Sequence, residues 1–242
     1  MALLLGGGFL AGIVNAMAGG GSVLTVPLLV VAGVEGNAAN GSNRVGVLAS
    51  SVSSAIEFAR NGVGGRERLI DVVPPVMLGV VAGVTLVGSI SDEAFERSFA
   101  VLMVPVLLLT FLRPGVGDPV APVQRWKRPT TWVVFAAIGL YGGAFQAGVG
   151  LLLVAALTRS GLDLIEANFV KVAVISIYTS LAIPVFMWRG EVEWGPALVL
   201  AVALGVGSAV GARTAVEGGE RVIRPVMVVA VLVFGARLLG LF

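Results

Sequence analysis

The feature that most constrains this chain is a run of three glycines at residues 19–21, inside an apolar segment that spans residues 3–34. Each glycine costs a helix interior roughly 1 kcal/mol relative to alanine, so three in succession predict a break in the helix. A related Gly-Val-Gly break at residues 148–150 lies in a second apolar segment, residues 131–158. Broken backbone inside a membrane is tolerated where it is buried in protein or lines a cavity. Because paired breaks in two halves of a transporter mark its binding site, we predict that these breaks face each other and hold a substrate.

Composition restricts the class of protein. Of the 242 residues, 57% are hydrophobic and 12% are charged, whereas soluble domains carry roughly 25% charged residues. Apolar segments long enough to cross a bilayer recur along the chain, so we predict an all-α polytopic membrane protein. The chain has no Cys and no His, which excludes disulfides and removes the commonest metal ligand and general base. We therefore expect no cofactor, no metal site and no enzymatic activity.

The chain reads as two related halves. Residues 1–112 form the first half, residues 113–130 a polar cytoplasmic linker, and residues 131–242 the second half. Each half starts with a broken segment, and three further helices are predicted in each half, near residues 43–59, 69–88 and 95–112 and near residues 167–188, 194–212 and 222–241. Whether each broken segment is re-entrant or a short transmembrane hairpin stays open.

Matching motifs recur about 128 residues apart, which supports an internal repeat. Asn40 matches Asn168, and each is followed by a basic residue, Arg44 or Lys171. Two Gly-x-x-x-Gly pairs, at 79 and 83 and at 207 and 211, also correspond, and such pairs let helices approach closely.

Positive charge predicts the orientation of the two halves. If each broken segment enters and leaves on the same side, each half makes an odd number of crossings and the repeats are inverted. Twelve of the sixteen Lys and Arg residues then lie in four regions on one side, whereas parallel repeats divide the basic residues nine against seven. Because basic residues concentrate on the cytoplasmic side, inverted repeats are favoured, with both termini extracytoplasmic in a cell membrane. The first segment resembles a signal peptide at residues 16–18, but no basic residue precedes it, so we expect it to be retained.

The start of a helix presents unpaired N–H groups and a partial positive charge, which together bind anions. We expect the second half-helices to start at Ser22 and Leu151, which points the N–H groups of both breaks into the protein. The alternative is that the glycines only permit tight turns and close packing. Asn40 and Asn168 are either N-caps or substrate ligands, and Arg44 and Lys171 either reach an interface or contact substrate. The residues predicted to bind substrate are Asn15, Gly19, Gly20, Gly21, Ser22, Asn40, Ser42, Asn43, Arg44, Gln146, Gly148, Gly150, Asn168 and Lys171.

These motifs resemble the TauE/SafE sulfite exporter family over nearly the whole chain. The resemblance rests on residues 12–27 with Pro27, on Ala39-Asn40-Gly41-Ser42-Asn43-Arg44, on residues 142–150, and on Ala167-Asn168-Phe169-Val170-Lys171. Ser42 stands where that family often has Thr, and Val149 separates the glycines of the second break, so the two half-sites differ.

The resemblance implies a secondary transporter that moves sulfite, a sulfonate or another small organic anion across the cytoplasmic membrane. Together with the breaks it predicts an anion bound near the midplane and exported as the two halves rock. The alternatives are an anion channel and a membrane scaffold without a substrate. The partners expected are the small anion and membrane lipid, with a homodimer left open and no nucleic acid.

Overall fold

The computed structural model describes residues 1–91, 93–95, 97, 98, 101, 126–218, 221 and 225, and within these residues it contains helices and no strand. Its helices are α1 (Ala2–Ala18), α2 (Gly21–Val31), α3 (Gly36–Arg60), α4 (Arg68–Val87), α5 (Arg128–Ala144), α6 (Val149–Arg159), α7 (Leu164–Trp188) and α8 (Trp194–Gly218). Three of them, α4, α7 and α8, are long and apolar enough to cross a membrane. The all-helical class is thereby confirmed, while nearly all of the helices predicted at 95–112 and 222–241, and most of the linker, lie outside the described residues.

Two helices start earlier than the sequence predicted. Helix α3 begins at Gly36 rather than near residue 43, and α7 begins at Leu164 rather than near residue 167. Asn40 and Asn168 are each the fifth residue of their helix, so of their two alternative roles the N-cap is wrong. The stretch at 36–44 is too polar to face lipid, and in the fold it is helical and mostly buried.

Both half-helices also start before the predicted residues. Helix α2 starts at Gly21 rather than Ser22, and α6 starts at Val149 rather than Leu151. The second break therefore lies at residues 145–148, and Val149 and Gly150 are already helical.

Helix α2 folds back along α1. A Cβ atom added to Gly7 would lie 2.7 Å from Leu28 Cδ1, and one added to Gly21 would lie 2.6 Å from Asn15 Cβ. Residues near the start of α1 therefore meet the end of α2, and residues near the end of α1 meet its start. The pairing is antiparallel, and it requires glycine at Gly21, where a side chain would meet the backbone of α1, whereas at Gly7 the flexible Leu28 side chain can move.

Two further helix pairs pack closely through glycine. In α4 against α5, a Cβ atom on Gly83 would lie 2.8 Å from the backbone nitrogen of Ala144. In α8 against α1, a Cβ atom on Gly211 would lie 2.7 Å from the carbonyl oxygen of Ile13. The close approach predicted from the Gly-x-x-x-Gly pairs is confirmed. Contacts advance in the same direction along both partners, so the helices of each pair run parallel.

The bundle has two distinct ends. At one end Arg68, at the start of α4, donates to the carbonyl and hydroxyl oxygens of Ser160, at 3.1 and 2.9 Å, beyond the end of α6. At the other end Arg189, after α7, donates to the carbonyl oxygen of Val84 in the last turn of α4, at 3.0 Å. Between these ends the two helix breaks meet in the interior.

Candidate substrate site

The first break ends α1 and starts α2 within two residues. Gly19 adopts a left-handed conformation, with φ of 80°, which stops α1, and Gly20 precedes the first turn of α2. A Cβ atom on Gly19 would lie 2.7 Å from Gly150 Cα, and one on Gly150 would lie 2.6 Å from Gly19 Cα. The backbones of the two broken segments thus touch directly, and only glycine at both positions permits this contact.

The second break is longer and includes a residue in an unfavourable conformation. Gln146 has φ of 62°, and in the described part of the chain it is the single non-glycine residue with a positive φ. Such a conformation costs of the order of 1–3 kcal/mol and persists only where the surrounding structure enforces it. Gly148 then turns the chain into α6, and its N–H donates to the hydroxyl oxygen of Ser22 at 3.1 Å. This hydrogen bond joins the two breaks side to side.

Arg44 in α3 reaches the end of α5 just before the second break. Its guanidinium is fully buried and donates to Gln146 Oε1 at 3.0 Å and to the carbonyl oxygens of Gly142 and Gly143. The same guanidinium lies 4.3 Å from the centre of the Phe186 ring. The contact to Gln146 provides a physical reason for its strained backbone, because that conformation carries the amide oxygen to a buried cation.

Lys171 in α7 reaches the end of α1 just before the first break. Its ammonium is fully buried and donates to the carbonyl oxygens of Asn15 and Ala16, at 2.8 and 3.1 Å, and to Asn168 Oδ1 at 2.8 Å. These carbonyls belong to the last turn of α1, where the helix dipole favours positive charge. Each half-helix that ends at a break is therefore capped by a cation from the other half of the chain.

Asparagines and hydroxyls complete the polar centre. Asn40 donates to the carbonyl oxygen of Ala144 at 2.9 Å, beside the Arg44 contacts. Asn15 donates to Ser50 at 2.8 Å, and Ser50 shares a hydrogen bond with Ser208, which donates to the carbonyl oxygen of Gly12 at 2.9 Å. A polar chain thus extends from the end of α1 across α3 to α8.

Several buried polar atoms in this region have no hydrogen-bond partner among the described residues. They are Asn40 Oδ1, Asn43 Nδ2, Arg44 Nε and the Tyr178 hydroxyl. Buried polar groups in proteins are nearly always satisfied, and a site for a ligand or water is one explanation for a cluster that is not. These atoms come from both halves: those of Asn40, Arg44 and Tyr178 lie near the second break, and Asn43 contacts Thr25 of α2.

All fourteen predicted site residues are buried. The structure brings most of them to the two breaks, but Ser42 lies apart because its hydroxyl accepts the N–H of Glu193 in the loop after α7, at 2.8 Å. Asn43 instead accepts from Thr25 of α2.

Two polar partners were missed by sequence reasoning, Thr25 and Ser208. Each had a signal in the chain. Thr25 follows Ser22 by three residues on the same face of α2, and Ser208 lies between the glycines of a close-packing pair.

Membrane-length apolar helices enclosing a buried polar and cationic centre at two helix breaks define a polytopic helical membrane protein. The profile of the family described as sulfite exporter TauE/SafE matches residues 4–238, so the chain belongs to this family of membrane transporters.

Curated relatives agree with this assignment. The chain is 26% identical over 246 residues to the probable membrane transporter protein ORF9 of Sinorhizobium sp., covering 99% of this chain and 92% of that protein. It is 26% identical over 231 residues to the probable membrane transporter protein YfcA of Escherichia coli K12, covering 95% and 86%. A probable membrane transporter protein of Haemophilus influenzae is 25% identical over 245 residues, covering 98% and 94%. No solved structure matches the chain.

Proposed function

We propose that this protein is a secondary transporter that exports a small anion, such as sulfite or an organosulfonate, bound between the two helix breaks. The observation that carries the proposal is the pair of fully buried cations, Arg44 and Lys171, one at each break. Their hydrogen bonds go to uncharged carbonyl and amide oxygens, which orient both cations, and the carboxylate of Glu191 after α7 interacts electrostatically with Arg44. An anion bound at the breaks would add negative charge beside both cations.

The starts of α2 and α6 add to the attraction for an anion. Each contributes the positive end of a helix dipole, although in α6 the N–H groups of Val149 and Leu151 already donate to the carbonyl oxygens of Gln146 and Gly148. Asn43 Nδ2 and Arg44 Nε supply two further buried donors without partners in the described part of the chain. Among the buried polar atoms without a partner, the donors Asn43 Nδ2 and Arg44 Nε outnumber the one atom that can only accept, Asn40 Oδ1. This excess of donors favours an anion over a cation.

The two halves are proposed to be inverted repeats, with residues 1–112 and 131–242 joined by a cytoplasmic linker at 113–130. The contacts between helices support this division. Helix α1 packs on α8 and α4 packs on α5, while α3 packs on α8 and α4 packs on α7. Exchanging each helix for its counterpart in the other half, α1 with α5, α2 with α6, α3 with α7 and α4 with α8, leaves this pattern unchanged.

The same division supports broken segments that enter and leave on one side, either re-entrant or as short transmembrane hairpins, and extracytoplasmic termini. Because Arg44 and Lys171 are buried, they are left out when basic residues are counted on the two sides of the membrane. Eleven of the remaining fourteen basic residues then lie on the proposed cytoplasmic side. Export then follows from energy, because moving one negative charge out of an inside-negative cell releases about 2.3 kcal/mol per 100 mV. Alternating access requires parts of the bundle to move against each other, and the Arg44 and Lys171 contacts are among those that join the two halves.

The experiment is a thermal-stability titration of the detergent-purified protein with sulfite, sulfate, thiosulfate, sulfoacetate, taurine, acetate and lactate. A ligand that binds only the folded state adds about 2.7 kcal/mol at one hundred times its dissociation constant. We expect stabilisation by a small sulfur-containing anion, and we expect Asn40→Ala and Asn168→Ala to abolish it. Asn61→Ala is the matched control because Asn61 is exposed at the end of α3, away from the breaks.

Transport in proteoliposomes separates the alternatives. Efflux of the stabilising anion that accelerates with the same anion on the opposite side supports alternating access, since a channel shows no such acceleration. No stabilisation by any anion, with no efflux, contradicts the proposal and favours a scaffold. Unchanged transport in both asparagine variants removes these residues from the site.

A further inference from the structure

A polar cavity lies at the end of the bundle where α4 and α5 begin, away from the helix breaks. Its volume is about 170 Å³. Its lining combines two arginines, one carboxylate, one hydroxyl and two indoles, contributed by Arg68, Asp71, Trp126, Arg128, Thr131 and Trp132. The transport site uses none of these residues.

Arg68 provides the buried charge of this cavity. The residue is 7% exposed, and its Nη2 atom donates to Ser160 while its Nη1 atom lies 3.6 Å from an oxygen of Asp71. Its Nε atom has no hydrogen-bond partner among the described residues. The guanidinium is therefore fixed on one side by the protein and retains an unused buried donor.

Two helix N-termini meet at the same place. Because α4 and α5 run parallel and in contact, both start beside the cavity, and no side chain caps the first turn of either helix. Both helix dipoles therefore add positive potential there. Arg128 adds a second guanidinium, and the carboxylate of Asp71, which is 59% exposed, only partly offsets the two arginines.

The two tryptophans indicate where the cavity lies relative to lipid. Indoles concentrate at membrane–water interfaces because their rings are apolar and their N–H is polar. Trp132 is 37% exposed, and Trp126 packs on Phe135 with ring centres 6.2 Å apart. Basic pockets at helix ends in this setting bind the phosphate of lipid head groups.

We propose that this cavity binds a phosphate group, held by Arg68, Arg128 and the starts of α4 and α5, with the head group of an anionic phospholipid as its source. Free inorganic phosphate presents the same chemistry, so the test includes both. The inference does not depend on the transported anion, because the cavity shares no residue with the helix breaks.

The test titrates the full-length protein, purified in neutral detergent, with phosphatidylglycerol, phosphatidylcholine or inorganic phosphate and follows the melting temperature. Arg128→Gln removes one charge from the cavity, and losing a charge-assisted hydrogen bond weakens binding about tenfold. Arg159→Gln is the matched control because Arg159 is exposed at the same end of the bundle without lining the cavity. Asp71→Asn removes the opposing carboxylate and should strengthen binding.

The expected result is stabilisation by phosphatidylglycerol but not by phosphatidylcholine, weakened by Arg128→Gln, kept by Arg159→Gln and strengthened by Asp71→Asn. The same variant pattern with inorganic phosphate alone supports the site with free phosphate as its source. The proposal is overturned if neither phosphatidylglycerol nor phosphate stabilises the protein, or if Arg128→Gln and Arg159→Gln respond alike. An equal response of Asp71→Asn and wild type also overturns it, because a carboxylate beside a phosphate must oppose binding.

Discussion

At the scale of single residues, the cost of burying Arg44 and Lys171 demands an explanation. A charged side chain in a membrane helix costs about 2.5–3.5 kcal/mol on insertion scales. The carbonyls at the ends of α5 and α1 offset part of this cost through hydrogen bonds and the helix dipole. A residue with polar hydrogens but no charge could cap a helix as well, so the charge itself points to an anion.

Lys171→Gln tests this distinction. Glutamine keeps a donor for the carbonyls of Asn15 and Ala16 but removes the charge. We expect the variant to fold and its apparent affinity for the stabilising anion to fall about tenfold or more, since a hydrogen bond to a charged group contributes about 1.5–3 kcal/mol. The measurement is the anion titration of thermal stability. Arg213→Gln is the control because Arg213 is exposed and paired with Glu217; equal losses in both variants would show that Lys171 does not act through charge.

At the scale of elements, the contact between the two broken segments depends on the absence of side chains. Gly150→Ala places a methyl group 2.6 Å from Gly19 Cα, where backbone rather than a flexible side chain must move. Overpacking of this kind costs about 1–3 kcal/mol, so we expect a lower melting temperature.

Gly6→Ala is the matched control for that substitution. Nothing lies within 4 Å of a Cβ atom on Gly6, which is also helical. Alanine favours a helix interior by roughly 1 kcal/mol over glycine, so stability should stay unchanged or rise. A Gly150→Ala protein as stable as the Gly6→Ala protein would mean that the two breaks do not need to touch.

At the scale of the whole molecule, the proposed inversion of the two halves and the distribution of basic residues predict which end faces the cytoplasm. The chain has no cysteine, so a single introduced cysteine reports one position. Asn61→Cys lies after α3 at the proposed cytoplasmic end, and Glu193→Cys lies between α7 and α8 at the opposite end. With a membrane-impermeant maleimide on intact cells, we expect labelling of Cys at 193, and labelling at 61 only after lysis. The reverse pattern would invert the orientation, and labelling of both in intact cells would contradict opposite ends.

The sequence by itself determined the membrane class, the helical composition, the position of the first break within one residue and the close-packing glycines. These follow from local chemistry: apolar length, helix propensity and side-chain size act through neighbours in the chain. The sequence also identified most of the buried polar residues, because a basic residue or an amide is rare in so apolar a chain. The starts of α3 and α7 were misplaced because burial of a polar segment is not a local property.

Only the tertiary structure decided what those polar residues contact. That Arg44 caps the end of α5 and Lys171 the end of α1 depends on contacts about 100 and 156 residues apart in the chain. The contact of Gly19 with Gly150, the link from Asn15 through Ser50 to Ser208, and the cavity where α4 and α5 begin also join residues far apart in the chain. Spacing along a helix fixes which face a residue occupies, but the helix that meets this face is chosen by the packing of the entire bundle.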